Sequence, residues 1–263
     1  MSTYNINPEL NQALEASLAH PDDFMYNLLF AYGLLAYPVI APVDLFSVSL
    51  QDKKGLPVFT DEAAHATFLS RLDPNFASSW STQLLPEILN MIRENALPVD
   101  MIAFNLRTTQ DAETRNMAYF GVAELLSFIT ERLALVGVVD TAENQTLTDK
   151  TKKAYYVPHF VGTGRENPDD IKRVFMTVKA IDGKEYIPVF DNLMSLRHWY
   201  QDSTAIQSFL DNHGTITAMK LTDIQHPESG VNILDGLSGL AINPFDLEAA
   251  DFEKALFPWP QEY

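Results

Sequence analysis

Leu56-Pro57-Val58-Phe59-Thr60-Asp61 recurs 131 positions later as Ile187-Pro188-Val189-Phe190-Asp191-Asn192. Both copies run aliphatic, proline, valine, phenylalanine, then a polar residue able to cap a helix. Each follows a short segment holding lysine and glycine, and each precedes a helix-like run. Such a run before a capping group reads as a strand entering a helix. Written twice, the junction predicts two related modules. The expected fold class is α+β, each module a small mixed or antiparallel sheet flanked by helices.

Upstream, Asn7-Pro8-Glu9 has the order of a helix start, with a cap, a proline at the first position and an acid in the first turn. Leu10, Leu14 and Leu18 follow at helical spacing. His20-Pro21-Asp22-Asp23 ends that helix and caps a second one carrying Phe24, Leu28, Ala31 and Leu35. Residues 36–42 read as a proline-bearing edge strand, 45–50 as an alternating strand, 51–55 as a turn and 56–59 as the returning strand. Thr60 or Asp61 then caps a helix to residue 72, with Ala64, Phe68 and Leu72 inward. Residues 84–95 read as helix, 99–105 as strand and 117–136 as a long helix. Apolar residues surround that last helix, which predicts that it is substantially buried.

Residues 141–153 contain one leucine in an otherwise almost wholly polar stretch, and are read as a linker between modules 1–140 and 154–263. The second half then follows the order of the first. Ala154-Tyr155-Tyr156-Val157-Pro158 answers Ala36-Tyr37-Pro38-Val39. A glycine-bearing loop (161–170) leads to a strand (174–181), an Asp182-Gly183-Lys184 hairpin turn and the strand 185–190. Helices are expected over 192–200 and 204–212, the second ended by His213-Gly214. A strand at 216–221, a short buried strand at 239–244 and a closing helix at 247–256 complete the half. Ile102-Ala103-Phe104-Asn105 is the counterpart of that buried strand.

Tyr156-Val157-Pro158, the run from Ile187 to Asp191, and Gly239-Leu240-Ala241-Ile242-Asn243-Pro244 together resemble the N-terminal domain of the SseB (enhanced serine sensitivity) family of bacterial proteins. In the first half Leu56 to Thr60 matches the same pattern. The chain departs from it at Leu106, which stands where the pattern has a proline after Asn105, and at the long run from Met117. The resemblance implies a small mixed sheet with helices, no catalytic residues, no cofactor, and a regulatory or protein-binding role.

Composition narrows the function classes. The chain has 263 residues, 46% hydrophobic and 20% charged, the profile of a globular protein. It has no cysteine, which excludes disulfides, thiolate nucleophiles and cysteine-ligated metal. Its formal charge is −17; residues 1–140 hold 7 basic and 17 acidic side chains and the remainder 11 and 18, so both halves are acidic. No basic stripe offers itself to phosphates, so neither nucleic acid nor an anionic membrane is expected as a partner. The apolar run from Ala31 to Val43 is broken by Pro38 and Pro42 and is too short to span a bilayer. The start, Met1-Ser2-Thr3-Tyr4-Asn5, lacks the pattern of a signal peptide, and the expected location is the cytoplasm.

Residues with catalytic potential have simpler readings. Thr60-Asp61-Glu62 and Asp191 stand at strand ends, where they serve as helix caps or as catalytic acids. The six histidines show no paired ligand spacing, so no metal is expected. Gly162-Thr163-Gly164-Arg165 lacks the rest of a phosphate-binding fingerprint and reads as a surface loop, with Arg165 and Lys172-Arg173 as the anion-holding alternative. His198, beside Trp199-Tyr200, reads as a packing or surface residue. Phe257-Pro258-Trp259-Pro260-Gln261-Glu262-Tyr263 is stiffened by proline; it either folds back on the core or anchors a partner through Phe257, Trp259 and Tyr263. The resulting expectation is a non-enzymatic protein-binding or scaffold protein with no cofactor. The alternative is a small-molecule sensor or enzyme with its site in the cleft between the modules, using Arg165, Asp191 or His198.

Overall fold

Two α+β units make up the chain, Met1–Arg132 and Leu133–Tyr263. The computed structural model describes residues 4–50, 52–73, 79–107, 116–163, 171–202 and 206–259.

The first unit opens with α1 (Pro8–Ala19) and α2 (Phe24–Ala36). Asn7 caps α1 by accepting the Glu9 amide, and Asp23 caps α2 by accepting the amides of Met25 and Tyr26. β1 (Val39–Pro42), β2 (Val48–Leu50) and β3 (Lys53–Val58) follow, then α3 (Glu62–Leu69), β4 (Trp80–Gln83), α4 (Leu85–Glu94), β5 (Met101–Phe104), β6 (Ala118–Gly121) and α5 (Val122–Val139). β1 pairs with β4, and the second sheet runs β2-β3-β5-β6. Among the described residues of this unit only β3 and β5 pair in parallel, with Leu56 opposite Ile102 and Val58 opposite Phe104. α1, α2 and α4 close over this sheet and bury Leu10, Phe30, Leu34, Val58, Ile88 and Phe104 in one core.

The second unit holds α6 (Ala142–Thr146), β7 (Ala154–Thr163), β8 (Ile171–Phe175), β9 (Val178–Lys179), β10 (Glu185–Val189), α7 (Leu193–Asp202), α8 (Ile206–Asp211), β11 (Thr215–Lys220), α9 (Leu221–Gln225), β12 (Val231–Ile233), β13 (Leu237–Ile242), a 3-10 helix (Ala249–Ala255) and β14 (Leu256–Pro258). Its sheets run β11-β7-β8-β12 and β14-β13-β10-β9. The second of these repeats the first unit strand for strand: an antiparallel hairpin partner, the proline-bearing strand, a parallel neighbour, an antiparallel edge.

The repeated hexapeptide occupies the same place in both. Phe59 bridges to Ile40 and Phe190 to Tyr156, each tying the mixed sheet to the other strand layer. The prolines fall in the gap between that bridge and the hairpin partner, whose ladders end at Gly55 and Tyr186. A strand's amides alternate sides, so the missing N–H of Pro57 or Pro188 faces the gap and costs no ladder bond. A second shared feature follows the parallel neighbour. Asn105 and Asn243 both take φ +49°, a left-handed conformation that asparagine tolerates. Their amides extend the parallel ladder to the carbonyls of Val58 and Val189.

Several expected elements differ in the structure. β3 starts at Lys53, inside the expected turn, and only residues 48–50 of the expected strand 45–50 are extended. Residues 118–121, expected as helix, form an edge strand on β5, where Tyr119 and Phe120 suit a pleated surface. α5 itself buries a stripe (Leu125, Ile129, Val136, Val139) and exposes Leu126, Leu133 and Val138. β7 extends to Thr163, and residues 174–181 split into parts of β8 and β9. The Asp182-Gly183 turn is present, with Gly183 at φ +85° donating to the Ala180 carbonyl. The expected closing helix is a 3-10 helix.

The division between units falls inside α5, and residues 141–153 belong to the second unit. Asn144 is buried there; its side chain donates to the carbonyls of Val139 (2.8 Å) and Ala154 (3.0 Å) and accepts the Ala154 amide (2.8 Å). A polar stretch can serve the interior when its groups are satisfied this fully.

Candidate functional site

In the first unit the side of α3 forms one wall of an apolar groove of about 240 Å³. Asp61 caps the helix by accepting the Ala63 amide at 2.9 Å, which sets Ala64, His65 and Phe68 inward. After α3 the backbone tightens, Arg71 N donating to Phe68 O and Leu72 N to Leu69 O, and Leu72 is brought back beside Phe68. Leu50 closes the groove from the end of β2. It reaches there because residue 55, diagonal to it across the hairpin, is glycine: a Cβ would stand 2.6 Å from Leu50 Cδ1.

The remaining wall is Leu106 and Arg107, directed by the left-handed turn at Asn105. Leu106 is buried against Phe59 and Ala64. The Arg107 guanidinium meets Asp61 at 3.3 Å through one terminal nitrogen, while its Nε is sealed from solvent without an acceptor. Apolar walls and an arginine with donor capacity to spare are the ingredients of a recognition site.

Behind the groove His65 is buried among Tyr4, Phe59 and Trp80, with ring centroids 4.7–5.2 Å away. Burial pushes its pKa down, the Glu62 charge opposing, and its Nε2 has no partner. It is a neutral packing residue.

Thr60 and Asp61, expected as caps or as acids, take separate tasks. Asp61 caps α3, and Thr60 donates its hydroxyl to Asn11 (2.8 Å) while meeting Asn105. Glu62 accepts the Tyr4 amide at 3.0 Å. In the second unit Asp191 accepts from Asn243 (2.7 Å), Lys153 (2.8 Å) and Asn192 (2.8 Å). Burial raises the Asp191 carboxyl, but these donors outweigh it and hold the pKa below the ordinary value. Asn192, not Asp191, caps α7 by accepting the Ser195 amide. Nearby, Asp140 receives the Tyr156 hydroxyl and the Leu193 amide, and burial pushes its pKa up.

Asp246 is bonded by the Ser195 hydroxyl at 2.5 Å and by His198 Nδ1 at 2.9 Å. Serine and histidine thus both address the carboxylate and not each other, which is not the geometry of a nucleophile and its base. Among the described residues no group of three or more histidines and acids stands ready to hold a metal. No described helix is long and apolar enough to cross a membrane. Arg165 lies outside the described residues.

Of the three aromatics expected at the C-terminus, Phe257 sits in β14 opposite Leu240, with Lys150 Nζ 5.6 Å from its ring centroid. Trp259 donates its indole N–H to the Leu237 carbonyl at 2.7 Å and its amide to Ser238 O at 3.0 Å. Both rings pack partly buried on the core of their own unit. Tyr263 lies outside the described residues.

No family model matches the chain, and no curated protein does. Two solved structures align with it. Anabaena Tic22, described as a protein of protein transport, is 11% identical over 95% of this chain and 99% of its own, with a TM-score of 0.22. Tic22 from Plasmodium falciparum is 12% identical over 77% and 90%, with a TM-score of 0.20. Scores of that size carry nothing across, so function has to be argued from the groove itself.

The groove was not legible as a site in the sequence. Its walls come from positions 50, 67, 68, 71, 72, 106 and 107, which no motif joins.

Proposed function

We propose that this chain is a non-enzymatic protein-binding scaffold of the cytoplasm, and that the α3 groove is the seat for a partner. The observation that carries this reading is the groove's size and lining. About 240 Å³ bounded by Leu50, Phe68, Leu72 and Leu106 fits one or two apolar side chains. It falls below the roughly 300–1,000 Å³ usual for a metabolite pocket. Arginine and aromatic side chains, here Arg107 and Phe68, are also enriched at protein interfaces. The resemblance to SseB-type domains points the same way.

The test is partner capture by proximity labelling with the full chain and with Leu72→Glu, which places a charge in the groove. Neighbours lost on substitution, with the melting temperature kept, support the reading. Neighbours retained in full sink it, as would a rise of several degrees in melting temperature with a small metabolite that Leu72→Glu abolishes.

A further inference from the structure

The geometry points to the kind of segment that the groove accepts. We infer that it takes a leucine-sized side chain with an Asp or Glu carboxylate beside it, the carboxylate accepting from Arg107. This rests on the groove being the partner's seat.

Three observations lead there. Arg107 lines the groove with the apolar Leu50, Phe68, Leu72 and Leu106, and with Thr67 and Arg71. Among the described residues its Nε, a buried cationic donor, has no acceptor. Buried donors of this kind are seldom left unpaired, because the lost hydrogen bond is not recovered from water. Among the described residues the carboxylate in contact is Asp61, which reaches a terminal nitrogen at 3.3 Å, long for a charge-assisted bond, and already accepts the Ala63 amide. Asp61 holds the guanidinium through one terminal nitrogen only, and the Arg107 side chain borders the groove. A carboxylate next to an apolar side chain would use both properties at once.

The net charge of −17 does not forbid an acidic partner. At physiological ionic strength the screening length is about 8 Å, so the nearest cation governs a contact made inside the groove.

The test uses the full chain and two fluorescein-labelled, amide-capped peptides, Gly-Leu-Leu-Asp-Gly and the same peptide with Asn for Asp, followed by anisotropy at near-physiological salt. The acidic peptide should bind roughly tenfold more tightly than its asparagine twin, the value of one charge-assisted hydrogen bond. Arg107→Gln should erase that ratio. Asp61→Asn keeps a good helix cap but removes the competing carboxylate, and should tighten the acidic peptide several-fold. Arginine acting only as a strut for α3 would leave the peptides indistinguishable in every variant. Equal binding of both peptides, abolished by Leu72→Glu, overturns this inference and leaves the groove reading standing. Binding of neither peptide overturns the inference, and the groove reading is then judged by its own labelling experiment.

Discussion

Asn105 grips Thr60 twice, accepting its amide at 2.9 Å and donating to its hydroxyl at 2.8 Å. Asn243 does the same to Asp191, at 3.0 Å to the amide and 2.7 Å to the carboxylate. In each unit one side chain thereby continues the parallel strand pair past its last ladder bond and fixes the start of the next helix.

Replacing Asn105 with alanine should therefore be costly. The side chain is fully buried, both bonds go, the Thr60 amide is left without its acceptor, and alanine resists φ +49°. A loss of about 3 kcal/mol is expected in urea unfolding. Asn105→Gly relieves the backbone strain and should recover about 1 kcal/mol of it. Equal loss in the two variants would show that conformation plays no part.

Lys153 and Asp191 form a mostly buried pair at 2.8 Å, their side chains 10% and 20% exposed. Lys153→Met should destabilise by about 3 kcal/mol, because Asp191 then keeps its charge with only amide donors. The double variant Lys153→Met/Asp191→Asn should recover most of that loss. A double-mutant cycle by chemical unfolding reads the coupling directly, and additive losses would refute it.

Acid should weaken the fold through His65 and His159. Burial lowers the pKa of both, with the Val157 carbonyl opposing the shift at His159 and the Arg173 charge adding to it. Above the ordinary histidine pKa of about 6.5 both folded and unfolded chains hold these rings neutral, and the stability is complete. Below it the unfolded chain binds protons that the native state refuses, so stability falls by up to about 1.4 kcal/mol per pH unit for each ring. The fall ends once the pH passes the folded pKa values. Melting temperatures between pH 7.5 and 5.5 should drop, and His65→Phe should flatten the slope.

Gly55→Ala tests how the groove is shaped. The new methyl group crowds the tip of Leu50, which can swing away, and meets Leu50 Cγ and Met101 Cγ at an ordinary 3.5 Å. Stability should change little while peptide affinity in the groove falls several-fold. Unchanged affinity would remove Leu50 from the wall.

Truncation before Phe257 should lower the melting temperature clearly, since β14 and the Trp259 indole complete the edge of the mixed sheet. A tail dispensable for stability would leave it unmoved.

How far the sequence could be read depended on how local each decision was. The caps at Asn7, Asp23 and Asp61, the Asp182-Gly183 turn and the strand from Leu56 are set by neighbours a few positions away, and pattern reading reaches them. The strand at 118–121 was beyond that reach, because a run that can continue into α5 becomes a strand only when β5 offers it an edge. Asn144 misled for the opposite reason: its polarity is spent inward, on three backbone groups. The groove is the extreme case, assembled from three separate stretches that meet only after folding.

The asparagine turn also separates two kinds of position. Leading into Asn105 and Asn243 the two parallel pairs correspond from Leu56 and Ile187 onward, although the second carries a register shift before Ile187. Immediately after, Leu106-Arg107 stands in one and Pro244-Phe245-Asp246 in the other, a cation against α3 in the first and an anion against α7 in the second. Once the asparagine has secured the architecture, these following positions are released from it. The two units can thus carry different side chains past the turn on the same strand arrangement.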